Sequence, residues 1–231
     1  TNVLIIAAKS IGIKTIGAMH GVEMPSYMLN IYYDKYPKKH ILDKFFVWNS
    51  YWQERHKSSF IAEEYPISSW FIKDLKEIKE SSLLKNFKNK RNPSISIIIE
   101  NLLNSSYLDL YESPLTKYCD ISLKARFQDP NYILKYVVPL QKKIPNSYPI
   151  YSFKKPSPDF VIATHSSAVF EYALLGSIPI LINTPDWGDY FEIKNDMPNL
   201  FFNTFDEFLE LIHSDKLSNY IDFFNKERKE I

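Results

Sequence analysis

From residue 94 onward, short Ile-rich apolar runs alternate with segments of helical length, and this alternation restricts the fold more than any other feature. The runs SISIIIE (94–100), DISLKARF (120–127), YPIYSF, DFVIAT and SIPILIN read as buried strands, with LFFN as a shorter one. Between and after them, 105–118 (interrupted near Pro114), 131–142, SAVFEYALLG and 204–216 read as helices. Thr204 and Glu207 form a capping box for the last. Strands separated by helices pair in parallel, because each crossover returns the chain to the same end of the sheet. The upstream part is less regular. A helix is predicted over 2–11 with Gly12 closing it, then a strand over 14–19 ending at His20-Gly21 and another over 45–48. YWQERHKSSF reads as helical, and a charged helix over 69–93 runs into a basic connector that Pro93 terminates. The composition change places a boundary near 86–93, between an N-terminal piece (1–85) and an α/β domain (93–231).

Composition excludes several function classes. The 231 residues carry a formal charge of +1, so no global field marks the chain for nucleic acid. Cys119 is the single cysteine, which rules out an intramolecular disulfide and a cysteine-rich metal site and fits a reducing, cytoplasmic setting. No apolar run reaches the roughly 18 residues of a membrane span, and no signal peptide is visible. Neither a Walker-type loop, a Gly-x-Ser-x-Gly elbow nor a His/Cys cluster of zinc spacing occurs. The sequence opens without Met and in mid-pattern, which predicts a piece of a longer protein.

Chemistry concentrates in DFVIATHSSAVFEYALLGSIPIL (159–181). An apolar strand runs into His165, Ser166 and Ser167 and then a helix with a single acid, Glu171. In open α/β sheets ligands bind beyond the carboxyl ends of the strands, where helix N-termini offer free N–H groups. Ser166 and Ser167 can add hydroxyls to such a phosphate site, or serve as ordinary N-caps. Glu171 lies among Ala, Val, Phe, Tyr and Leu, where a carboxylate needs a partner such as the two hydroxyls of a ribose. A solvent-facing Glu on an amphipathic helix is the alternative. His165 can touch the same ligand or act in capping and packing. Lys124 and Arg126, two apart at a strand end, share a side and can neutralise a diphosphate, or are plain exposed cations. Asp186, Trp187 and Asp189 follow the next strand and are candidates for reaching a sugar or base.

SSAVFEYALLGSIPIL resembles the donor-binding segment of GT-B glycosyltransferases, in which small residues, an acid and Gly-x-Pro recur in this order. GIKTIGAMHGVEMPSY…DKFFVWNSYWQE (12–54) resembles the His-Gly block and the following Asp-to-Trp block of bacterial surface-polysaccharide glycosyltransferases. That group includes relatives of the polysialyltransferases and of the CDP-glycerol glycerophosphotransferases of teichoic acid synthesis. The resemblance implies an α/β fold: a GT-B-type, Rossmann-like parallel sheet flanked by helices, preceded by the tail of another α/β domain. It implies sugar transfer from a nucleotide-activated donor to a glycan or glycolipid acceptor, as in capsule or lipopolysaccharide synthesis. Ser166, Ser167 and Glu171 would hold donor phosphate and ribose, with Lys124, Arg126 and His165 beside them. His20 would be the general base or a donor-phosphate contact, with Glu23 as second candidate; both also read as ordinary loop residues. GT-B enzymes as a class do not require a bound metal, so no metal and no cofactor are expected. Two departures stand out: Asn49 follows Trp48 where the family commonly has Gly, and Arg-Phe-Gln-Asp-Pro (126–130) replaces the family's His-Pro region. The basic stretch 85–91 reads as a solvated linker or as a contact with the cytoplasmic membrane face. Rival readings are a CDP-polyol phosphotransferase, a UDP-sugar 2-epimerase and a non-catalytic fragment that binds nucleotide or glycan.

Overall fold

The computed structural model describes residues 2–18, 42–56, 63–67, 92–99, 113–125, 130–144, 148–150, 157–183, 189 and 191–227. The chain divides into two compact units, Thr1–Leu75 with Glu230–Ile231, and Lys76–Lys229.

In the first unit, helix α1 (Asn2–Ser10) ends in a Schellman turn. The Gly12 N–H bonds Lys9 O, the Ile13 N–H bonds Ala8 O, and Gly12 takes φ +75°. Strands β1 (Ile16–Ala18), β2 (Lys44–Val47) and β3 (Glu63–Pro66) form a parallel sheet with β2 in the centre. Asp43 ties its start together. Its Oδ2 accepts from the Thr15 N–H (2.7 Å) and hydroxyl (2.9 Å), and Lys9 Nζ lies 3.0 Å from Oδ1. Those bonds, led by the Thr15 N–H, hold the carboxyl at a pKa of about 2. Helix α2 (Ser50–His56) follows, and the Asn49 side chain caps it by accepting the Trp52 N–H at 3.1 Å. The departure from Gly at this position is therefore a helix cap. Trp48 and Trp52 are core residues.

The second unit holds six parallel strands: β4 (Ser94–Ile99), β5 (Asp120–Ala125), β6 (Tyr148–Ile150), β7 (Phe160–Ala163), β8 (Ile178–Ile182) and β9 (Phe201–Phe202). Their order is β6-β5-β4-β7-β8-β9, every neighbouring pair parallel. This is the doubly wound Rossmann order, with its switch point between β4 and β7. The α/β class, with parallel sheets flanked by helices, is as the alternation of apolar runs predicted. Pro179 sits within β8 without breaking it. The Ile178 N–H points to β7 (Asp159 O, 2.9 Å), so the next nitrogen faces the opposite side, where β9 pairs only from Leu181.

The two sheet faces differ. Paired residues of a parallel sheet share a face, so Ile95, Ile97, Ile121, Leu123, Phe160, Ile162, Ile178 and Ile180 form one wholly apolar side. Helix α6 (Phe205–His213) covers it, with Phe208 edge-on to Phe160 at 5.0 Å. The other face carries Ser96, Ser122 and Lys124 beside Ile98, Val161 and Ala163, and lies under helix α5 (Ala168–Leu174). Ahead of α5 in the chain come α3 (Leu115–Tyr118) and α4 (130–143). The middle of α4, Ile133–Val137, is a π-turn just ahead of Pro139; that proline has no N–H and its ring would strike the Lys135 carbonyl in a regular helix.

Boundaries of the expected elements shift by a few residues. The capping box is present: Glu207 N–H donates to Thr204 Oγ1 at 3.1 Å, while the Glu207 carboxylate accepts the Asn203 N–H at 2.7 Å. Two elements were not anticipated, β3 and helix α7 (Leu217–Glu227). The helix expected over 69–93 lies mostly outside the described residues. Cys119 is buried, and desolvation pushes its thiol up to about 12, which removes it as a nucleophile.

Asp159 fastens the two central strands at their start. Its Oδ2 accepts the Ser94 N–H (2.8 Å) and hydroxyl (2.7 Å), and its N–H donates to Ser94 Oγ (3.0 Å). Replacing Asp159 with Ala is expected to cost about 1–3 kcal/mol in urea unfolding, because two half-buried donors of Ser94 lose their acceptor.

Candidate functional site

Strand β7 ends at Ala163 on the switch-point side of the sheet, and Thr164, His165, Ser166 and Ser167 make the turn into α5. Ser166 and Thr164 are buried, and His165 Nδ1 lies 2.9 Å from Thr164 Oγ1. Ser167 occupies the N-cap position in helical geometry (φ −61°, ψ −16°) and its side chain makes no capping hydrogen bond. The ordinary N-cap role considered for it is therefore not the one seen. At the other end α5 closes in a second Schellman turn, Gly176 N–H to Ala173 O and Ser177 N–H to Tyr172 O, with Gly176 at φ +99°. This is the physical form of the glycine and proline here, which stand as Gly-Ser-Ile-Pro, one residue wider than Gly-x-Pro: the glycine turns the chain, and Pro179 enters β8 on its free side.

The acid in this helix is not on a solvent face. Glu171 is 6% exposed, between Phe170 and Tyr172, both buried. Desolvation is the largest influence on it and pushes its carboxyl up to about 7, against the pull of Lys124. Lys124, on β5, is 9% exposed and is displaced downward by burial, with Glu171 opposing. The reading of Lys124 as an exposed cation is thus overturned: alternation along β5 turns its side chain onto the face that α5 covers. Tyr172 belongs to the same layer, its phenol beside the Ser96 hydroxyl and pushed up to about 12 chiefly by burial.

The structure brings Lys124, His165, Ser166, Ser167 and Glu171 into one unit. His20, Glu23 and Arg126 lie outside the described residues, as do Asp186 and Trp187. Asp189 has a local role instead of reaching a ligand. Its carboxylate accepts the N–H groups of Ile193 (3.0 Å) and Lys194 (2.7 Å), in a turn that holds Glu192 at φ +56°. Among the described residues, no group of three or more His, Cys, Asp or Glu could hold a metal ion, and no helix is long and apolar enough to cross a membrane. The residue that reading by sequence alone underrated is Tyr172, whose hydroxyl is buried in the polar layer; the clue was the pair of alternate serines, Ser94 and Ser96, in an otherwise Ile-rich strand.

No protein-family model and no curated protein matches this chain. Three solved structures resemble it at low identity. The glycosylation-associated protein (Gap123) complex of Streptococcus agalactiae shares 13% identity at a TM-score of 0.41, over 98% of this chain and 51% of that one. Anabaena HepE in complex with UDP shares 14% at 0.47, over 99% and 67%. The E. coli trehalose-6-phosphate structure bound with UDP-2-fluoro glucose shares 14% at 0.47, over 95% and 64%. The chain spans about half to two thirds of these proteins. Likeness at this level adds nothing to the site, which stands on its own geometry.

Because the native state keeps the Glu171 proton up to about pH 7 while the unfolded chain releases it near 4.5, folding stability falls as pH rises through that window. The loss is on the order of 3 kcal/mol. A Glu171→Gln variant is expected to lack this slope in denaturant unfolding followed between those two pH values.

Proposed function

We propose that the second unit binds the nucleotide of an activated sugar donor and that the chain is part of a GT-B-type glycosyltransferase acting on a cell-surface glycan or glycolipid. The observation that carries this reading is the buried Glu171 carboxylate, one turn into the helix that leaves the switch-point strand β7. A sheet of this order takes its ligand at that edge. A carboxylate there, held out of water, is an acceptor for the paired hydroxyls of a ribose. Ser166 and Ser167, one turn earlier, supply hydroxyl donors for phosphate.

In the proposed reaction the acceptor hydroxyl oxygen attacks the anomeric carbon, and the bond from that carbon to the nucleotide's phosphate oxygen breaks. The hydroxyl proton passes to a base, for which His20 and Glu23 are the candidates, and the nucleotide leaves as an anion. The protein's part is placement of the donor and stabilisation of the developing negative charge by hydroxyls, with Arg126 as the candidate cation. No metal or cofactor is assigned.

Calorimetric titration with UDP, CDP and CMP tests the donor site. One of the three is expected to bind, and Glu171→Ala to weaken it by about tenfold or more, as loss of hydrogen bonds to a charged group predicts. Ribose hydroxyls favour the ionised acid, so affinity should rise as pH increases through about 7, with proton release below that point visible as a buffer-dependent enthalpy. Absence of binding by all three nucleotides removes the donor reading. Sugar transfer by the full-length enzyme is expected to drop by about 10²-fold or more in His20→Ala, the scale of a lost general base; an unchanged rate moves that role elsewhere.

A further inference from the structure

We propose that Lys124 is a positioning residue, whose buried ammonium opposes the desolvation of Glu171 and so brings its ionised, hydroxyl-accepting form within reach of neutral pH, and that it does not contact the donor phosphate. The inference rests on the donor-site reading of Glu171 and goes beyond it in assigning Lys124.

The sheet register places the two groups. Ser96 pairs with Ser122 and Ile98 with Lys124, so Lys124 shares a face with Ser96. Tyr172 of α5 lies over Ser96, and Glu171 precedes it in the same helix. The lysine stem therefore leaves the sheet on the side that α5 covers, and both charges are less than a tenth exposed. An ammonium or a carboxylate taken from water without compensation gives up its charge, whereas an opposed pair can keep both. The mutual influence runs in that direction: Lys124 lowers Glu171, and Glu171 raises Lys124. Tyr172 on the same helix also feels the Glu171 charge, and His165 lies in the turn that opens this helix. Strand β4 contributes the uncharged Ser96, and β7 and β8 contribute Val161, Ala163, Pro179 and Leu181. A lysine buried beneath a helix and charge-coupled to its carboxylate is poorly placed to serve as a mobile phosphate clamp.

Carboxyl-labelled glutamate followed by carbon NMR, on the chain without nucleotide, measures the Glu171 titration directly. Its midpoint is expected to rise by about one pH unit or more in Lys124→Met and to stay near the parent value in Lys124→Arg. Should Lys124→Met not fold, the reciprocal measurement serves: the Lys124 ammonium in Glu171→Gln is expected to titrate lower than in the parent. The functional arm compares uridine and cytidine, which lack phosphate, with UDP and CDP by calorimetry across about pH 5 to about pH 9. In Lys124→Met the pH of half-maximal nucleoside affinity should move up with the Glu171 midpoint. A weakened nucleotide with unchanged nucleoside affinity and pH profile would mean that Lys124 contacts phosphate, and would overturn the proposal. Titration midpoints that ignore the substitutions while nucleotides still bind would overturn it alone, leaving the donor site in place. Midpoints that move as expected with no nucleoside or nucleotide bound at any pH would overturn the donor reading and the positioning role together.

Discussion

Strand β4 is hydrogen-bonded along both edges, to β5 and to β7, and the second unit is organised outward from it. From β4 the chain winds one way through β5 and β6, then crosses back to β7 and winds the other way through β8 and β9. That reversal leaves a place beside the β7 carboxyl end where crossover helices diverge from each other. Asp159 secures the opposite end by binding the start of β4 through Ser94. With one end fastened by a charged, buried acceptor, the other is free to carry a turn built for chemistry.

The contrast between the faces of this sheet follows from what each helix demands. Under α6 the contacts are aromatic and aliphatic, and Phe160, Phe202 and Phe208 interlock edge-on. Under α5 the sheet presents hydroxyls and an ammonium, and α5 answers with a carboxylate and a phenol. Such a layer stabilises a fold less than a hydrocarbon layer of the same volume, because each charge gives up hydration to enter it. A Glu171 carboxyl whose proton affinity is near neutrality is the chemical result. Groups displaced in this way by burial and one specific partner are concentrated at functional sites. For this chain the displaced acid sits where the topology places ligands.

Much of the architecture was legible because its signals are local. Ile-rich runs cannot be left in water, Gly12 and Gly176 adopt the positive φ that Schellman turns need, and Thr204 with Glu207 caps α6 through its own side chains. Strand β3 was not legible: Glu-Glu-Tyr-Pro has no apolar run, and only pairing with β2 makes it a strand. Helix α7 was hidden for a similar reason, its inward side resting on Leu217, Ile221 and Phe224 amid polar neighbours. Asp189 read as a candidate for reaching a sugar or base and Asn49 as a departure from the family pattern, and the structure shows their side chains holding a loop and a helix start. Their partners are backbone N–H groups, which every residue possesses and no residue name advertises.

Sequence alone determined the parallel α/β class, the helix ends and the oddity of one acid within the apolar run after His-Ser-Ser, since each depends on residues within a few positions of one another. It could not determine which way that acid faced. Glu171 and Lys124 stand 47 positions apart in the chain, and only the strand order and register put an ammonium and a carboxylate under the same helix. Once they share that space, water is excluded from both, and two ordinary surface charges become a coupled pair.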